Sequence, residues 1–305
     1  MTTVRISPAA ALDIPALKDA VTALDADPTV ERVILGDDHV TGQSAVVLAA
    51  WLAPQTTRIA LVPEVPVTNT EPFHAATTTA TLDHLTAFTG PARAGWAPTV
   101  QTGEVGRRDA ALVGLRPPAE PASAWEHAVD VDTAVSALWG SWDPDAEIRD
   151  TVTARFIDRD KVRYTETTGT DAAGETFTVK GPSIVPRSPQ GDLTTVITVD
   201  GQESLSAASR IADVVVLRRG DGSVTVGEVL EKLGTPDRSD SASPDRYVPV
   251  LLEVDASGIV NSGVPELPEG VSGLAVEVDD LSTVRPLLDA LASSTTGDTV
   301  AGHHR

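Results

Sequence analysis

The chain has 305 residues, 41% of them hydrophobic, with a mean hydropathy of -0.02, enough for one large buried core. Acidic residues outnumber basic ones 44 to 23; the formal charge of -21 repels nucleic-acid phosphates and anionic membranes. The absence of cysteine excludes disulfides, thiolate metal sites and cysteine nucleophiles. No apolar run approaches the roughly 20 residues needed to span a bilayer, and the N-terminus lacks signal-peptide character. A soluble cytoplasmic protein is expected.

In chain order, β-branched apolar runs alternate with helical patterns. Strands are expected at Thr3–Ile6, Arg32–Leu35, Arg58–Val62, Ala92–Gly95, Thr194–Val199, Asp213–Leu217, Val248–Val254 and Gly273–Val278. Helices are expected at Ile14–Leu24, Gly42–Leu52, Pro72–Leu85, Ala122–Leu138, Glu203–Ile211, Thr225–Leu233 and Leu281–Leu291. Asp13 suits an N-cap, Pro72 a first helical turn, and Thr225 with Glu228 a capping box. Repeated βα units of this number close naturally as a (β/α)8 TIM barrel.

The expectation is a single barrel domain over 1–292 with a flexible tail, 293–305. Residues 150–190 read as an insertion with a β-hairpin: Lys161–Thr167, a turn around Thr170–Gly174, then Thr176–Lys180. The segment Ala97–Ala122 holds a short apolar run, Ala110–Leu115, and Pro236–Asp245 reads as a flexible loop. His74 and His84 fall on different faces of one helix, and no cluster has metal-ligand spacing, so no metal is expected. Serine-hydrolase elbows and phosphate P-loops are also absent.

Two segments carry a more specific signal. Glu71–Trp96 reads EPFHAATTTATLDHLTAFTGPARAGW, and Lys180–Asp192 reads KGPSIVPRSPQGD. Preceded by Asp160-Lys161-Val162 and with Phe177 and Val179, they resemble the luciferase-like flavin monooxygenases, in the branch of nitrilotriacetate and dibenzothiophene-sulfone monooxygenases. The resemblance covers Arg32–Leu217 and implies a luciferase-like barrel. It also implies reduced FMN supplied by a flavin reductase, O2, a small organic substrate and a homodimer. The flavin carries the redox chemistry, and the protein supplies binding, shielding and orientation.

The same resemblance implies site residues. Asp37 and His39, in the loop after the second strand, would lie near the reacting face. Thr68 and Asn69 would touch flavin, although Asn69 and Thr70 stand where relatives carry Tyr and Asn. Thr99 follows Ala97 and Pro98, which replace an Asn and a backbone donor that commonly meet the flavin. Trp125 stands for a phosphate-arm Tyr, with Ala124 in place of Arg and His127 nearby. Gly201 would contact the phosphate, but Asp200 beside it opposes a phosphate charge. Arg187 is expected to brace the insertion.

The chain is also short for this branch, which implies a reduced substrate lid. These departures keep an alternative open: a divergent luciferase-like barrel that has lost tight flavin binding and acts as a non-catalytic binding or structural paralogue.

Overall fold

The computed structural model describes residues 1–38, 43–220, 223–233 and 247–297. Its first half runs β1 (Thr2–Ile6), α1 (Ile14–Ala26), β2 (Val30–Leu35), α2 (Ala45–Leu52), β3 (Ala60–Pro66) and α3 (Pro72–Thr86). Next come β4 (Gly95–Thr99), α4 (Gly103–Val113) and α5 (Pro121–Trp139). Two antiparallel hairpins follow, β5 (Glu147–Asp150) with β6 (Arg155–Ile157) and β7 (Glu166–Thr170) with β8 (Thr176–Lys180). The chain then runs β9 (Thr194–Val199), α6 (Gln202–Ile211), β10 (Val214–Leu217) and α7 (Val226–Leu233). It closes with β11 (Val250–Asp255), α8 (Ala256–Ser262), β12 (Gly273–Val278) and α9 (Val284–Gly297).

Eight strands, β1-β2-β3-β4-β9-β10-β11-β12, close into a parallel barrel in which β12 pairs back onto β1. Alternation along each strand divides the core in two. Ile34, Val62, Ala97, Val196, Val214, Val216, Leu251 and Ala275 form a small cluster inside the barrel. The larger cluster, with Leu17, Leu35, Leu61, Trp96 and Val276 among its members, packs strands against helices. The fold is the (β/α)8 barrel expected.

Most expected elements appear within a few residues, and the departures have local causes. The third strand starts at Ala60, because Arg58 turns away to donate to the Leu24, Asp25, Asp27 and Val30 carbonyls at the end of α1. The fourth runs Gly95–Thr99 instead of Ala92–Gly95. Upstream of it, Arg93 is buried and donates to carbonyls of Ala53, Thr56, Ile59 and Thr86, holding the turn closed. Pro98 is tolerated in β4 because pairing with β9 involves only Gly95 and Trp96. Helix α4 occupies the stretch read as a short apolar run, and α8 was not anticipated.

The first hairpin strand begins at Glu166, not Lys161, because Arg159–Lys161 form a 3-10 turn capped by Asp158. Helix α9 continues through Gly297, into the stretch expected as a tail; residues 298–305 lie outside the described residues, as does the loop read at Pro236–Asp245.

The two segments that carry the family resemblance meet in space at Asp83 on α3, which is fully buried. Its carboxylate accepts from Ser188 Oγ, from Gln190 N at 3.1 Å and Nε2 at 2.6 Å, and from Ala94 N at 3.2 Å. His84 beside it reaches the Pro186 carbonyl at 3.3 Å. Arg187 lies over Gly191, whose φ of +82° suits glycine and where a Cβ would stand 2.7 Å from Arg187 Nη2. The tryptophans add further ties: Trp96 Nε1 donates to Thr195 Oγ1 at 3.0 Å and Trp142 Nε1 to Ser183 O at 2.8 Å.

Asp83→Ala strips a buried charged acceptor from four donors. The expected loss is about 3 kcal/mol of unfolding free energy in urea melts. A loss below about 1 kcal/mol would show that the tie is not structural.

Candidate active site at the barrel mouth

In barrels of this kind the C-terminal ends of the strands, with the loops that follow, build the functional face. One step above the interior apolar cluster, each strand places one more inward residue: Arg5, Gly36, Glu64, Thr99, Thr198, Arg218, Glu253 and Glu277. Five of the eight are charged, and they pair among themselves. Arg5 Nε and Nη2 grip Glu64 at 2.6 and 3.0 Å, while Nη1 meets Glu277 Oε1 at 2.5 Å. Arg218 lies 3.4 Å from Glu253 and 3.9 Å from Asp200.

Burial works against the Arg5 charge, but Glu64 and Glu277 outweigh it and hold the guanidinium above its usual value. Burial pushes the Glu277 carboxyl up to about 6; Arg5 opposes that rise, and Glu253 and Asp279 add to it. Glu277 Oε2 is buried without a partner. None of this network was singled out from the sequence. Its only signal is a charged residue at an inward register in β1, β3 and β12.

Above β3 and β4 the chain builds a polar corner. Val67 N donates to Thr99 O, Gln101 N donates to Thr68 Oγ1 at 3.0 Å, and Gln101 Nε2 reaches Thr99 Oγ1 at 3.3 Å. The corner therefore gathers Thr68, Asn69 and Thr99, with Gln101 beside them. Both amide atoms of Asn69 and Oε1 of Gln101 are buried with no hydrogen-bond partner. Leaving such groups unmatched costs roughly 1–3 kcal/mol each, so the corner offers amide donors and acceptors to a ligand or to water. Beside it a cavity of about 530 Å³ opens between Thr68, Asn69, Leu115, His127 and Phe177 of the β7–β8 hairpin. His127 Nδ1 lies 3.2 Å from the Thr170 carbonyl, and its ring meets Phe177 edge-on.

The other expected residues lie elsewhere around the mouth. Asp37 Oδ2 accepts from Ala45 N at 2.8 Å, capping α2, and Asp37 N donates to Glu64 Oε2 at 3.2 Å. His39 lies outside the described residues. Trp125 packs in the outer core, 9% exposed, and Ala124 is fully buried. Gly201 is the N-cap of α6; its N–H and that of Asp200 both donate to Ser204 Oγ. Ala97 belongs to the apolar interior and offers no polar side-chain atom. Among the described residues, no group of three His, Asp or Glu stands where it could hold a metal ion. No helix is long and apolar enough to cross a membrane.

The two ends of the mouth differ in what they offer a ligand. The Asn69 and Gln101 amides would offer donors and acceptors to the imide edge of a ring such as a flavin's. At Asp200 and Gly201 the backbone N–H groups are already turned onto Ser204 Oγ.

No protein-family model matches the chain. It is 32% identical over 168 residues to the N-acetyl-S-(2-succino)cysteine monooxygenase of Bacillus subtilis (strain 168), covering 55% of this chain and 35% of that protein. It is 30% identical over 195 residues to nitrilotriacetate monooxygenase component A of Aminobacter aminovorans, covering 63% of this chain and 40% of that one. The matched stretch thus spans well under half the length of these relatives. A riboflavin lyase solved with modified FMN and riboflavin superimposes with a TM-score of 0.65 at 19% identity, covering 83% of this chain and 62% of the lyase. The class is a luciferase-like (β/α)8 barrel. Within it, this chain is similar in sequence, over part of its length, to monooxygenases.

The Glu277 carboxyl makes stability depend on pH. Its folded value of about 6 exceeds the unfolded value of about 4.3, so the folded state holds the extra proton between them. The stabilisation is full below about pH 4.3 and is lost as pH rises through about 6. Glu277→Gln should therefore stabilise the protein at pH 8 by about 1–2 kcal/mol and change little at pH 4. Urea melts at the two pH values check this; a variant less stable at pH 8 would contradict it.

Proposed function

We propose that this barrel is a flavin-dependent monooxygenase that takes reduced FMN from a separate reductase and oxidises a small organic substrate with O2. The observation that carries the reading is the buried, unmatched amide pair of Asn69 and Gln101 at the C-terminal mouth. Thr68, Asn69 and Thr99 would hold the ring, with Gln101 beside them. Trp125 and Gly201 are proposed as more distant contacts, through the α5 and α6 ends. Asp37 and His39 are proposed near the reacting face; the Asp37 carboxylate accepts from Ala45 N at the start of α2 and its N–H donates to Glu64 Oε2. The bound flavin supplies the electrons that activate O2. The chain itself would orient the ring, with the β7–β8 hairpin and α5 lining the adjoining cavity.

A homodimer is proposed from the same likeness. Exposed apolar side chains on α2 and beyond α3, namely Val47, Trp51 and Phe88, support it. The relative named as component A supports the separate reductase.

A second reading has its own observation. Asp200, the buried apolar Ala97 and the buried Ala124 favour a barrel that no longer holds flavin tightly and serves as a binding or structural paralogue.

Anaerobic titration with reduced and oxidised FMN and riboflavin, followed by calorimetry, separates the two. Flavin binding in the micromolar range, weakened about tenfold by Asn69→Leu, is the expected result. Binding indifferent to Asn69→Leu would remove that corner from the site, and no binding of any flavin would leave the second reading standing.

A further inference from the structure

His127 of α5 is 6% exposed, and what is left of its surface belongs to the cavity of about 530 Å³ beside the polar corner. Two contacts hold its ring. Nδ1 lies 3.2 Å from the Thr170 carbonyl at the end of β7, and Phe177 of β8 meets the ring edge-on with centroids 5.4 Å apart. A carbonyl oxygen only accepts, so Nδ1 carries the hydrogen of the neutral ring. Nε2 is then a bare acceptor, and it has no hydrogen-bond partner among the described residues.

The contact with Thr170 is not what docks the hairpin on α5. Asp130 Oδ2 accepts from Thr170 N at 2.8 Å, and Ser123 Oγ donates to Ala172 O at 3.0 Å. Those two bonds already join helix and hairpin on either side of His127. What the His127 contact adds is a fixed tautomer, with the second nitrogen left to whatever fills the cavity.

The rest of the lining constrains that occupant. Pro72, Leu115, Phe177 and Val179 supply apolar surface. Arg116, the one arginine or lysine among the lining residues, is paired with Glu175. Glu71 and Asp171 add two more carboxylates, which accept from backbone N–H groups of their own turns. An anion entering here meets three carboxylates and no unpaired arginine or lysine, whereas a neutral donor finds Nε2 unmatched.

We propose that this cavity takes a small, uncharged, largely apolar ligand whose hydroxyl or N–H group donates a hydrogen bond to His127 Nε2. Calling that ligand the substrate rests on the flavin reading above; its chemistry rests on the cavity alone. His127 acts as a binding and specificity residue. A site with one buried, unpaired acceptor rejects an analogue that lacks the donor, because the acceptor is then left unmatched.

The test is calorimetry on the full chain without flavin, using β-naphthol, its methyl ether and β-naphthoate. Naphthol is expected to bind about tenfold tighter than the ether, which keeps the rings and loses only the donor. Naphthoate, an anion without a donor, should be weaker than naphthol by at least about tenfold. His127→Phe, checked for folding by circular dichroism, should bring naphthol and ether to within about twofold of each other. On the unaltered chain, nitrogen NMR at about pH 8 should show Nδ1 protonated and Nε2 bare, with the Nε2 resonance moving as naphthol is added. Equal affinity for naphthol and ether, a proton on Nε2 in the free chain, or a folded His127→Phe variant that keeps the preference would each overturn the proposal. So would the absence of binding by all three probes at about millimolar concentration. Because no flavin is present, a failed flavin titration leaves this result untouched, and failure here leaves the flavin corner standing.

Discussion

The buried carboxylate of Asp83 is the contact on which the rest of the arrangement depends. One charge deep in α3 collects donors from the start of β4 and from the segment that leads into β9. Between those elements the chain makes its longest excursion, through α4, α5 and two hairpins. Returning from such a loop costs entropy that grows slowly with length, and the return must still land in register. Asp83 supplies that landing point, since a buried carboxylate left without its donors is far more costly than one fully matched. With β4 and β9 joined, the barrel closes, and the corner above β3 and β4 is held at its mouth.

A second theme is electrostatic. An excess of acid over base could be spread evenly as a solubilising surface. Here a share of it is placed at the mouth, in the helix caps and in the layer of Glu64, Glu253 and Glu277 above the apolar interior. Two arginines, Arg5 and Arg218, hold that layer together. The result is a mouth with fixed internal charge and a neutral polar corner at one side.

Much of this was legible in the chain because it is local. The caps at Asp13 and Pro72, the Thr225–Glu228 box, and the strands Thr194–Val199 and Gly273–Val278 need only neighbours a few residues away. The alternation of apolar strands and helices was enough for the barrel, and two short segments were enough for the family likeness. Thr68, Asn69 and Thr99 were also found from the sequence as positions that the structure gathers in one corner.

What the sequence alone could not decide lies at long separation. Arg5 and Glu277 are 272 positions apart, and Asp83 and Gln190 are 107 apart, so no local periodicity joins them. The shift of β4 follows from where the Arg93 guanidinium finds its carbonyls, and those come from α3 and the loop before β3. Asp37, expected near the reacting face, is brought by the fold onto the first amide of α2. Pattern determined a barrel of alternating strands and helices, and two short segments carried the resemblance to a flavin-enzyme family. Only closure of the barrel decided which charges meet, which amides stay unmatched and which acids are already in use, because those are set by distance in space.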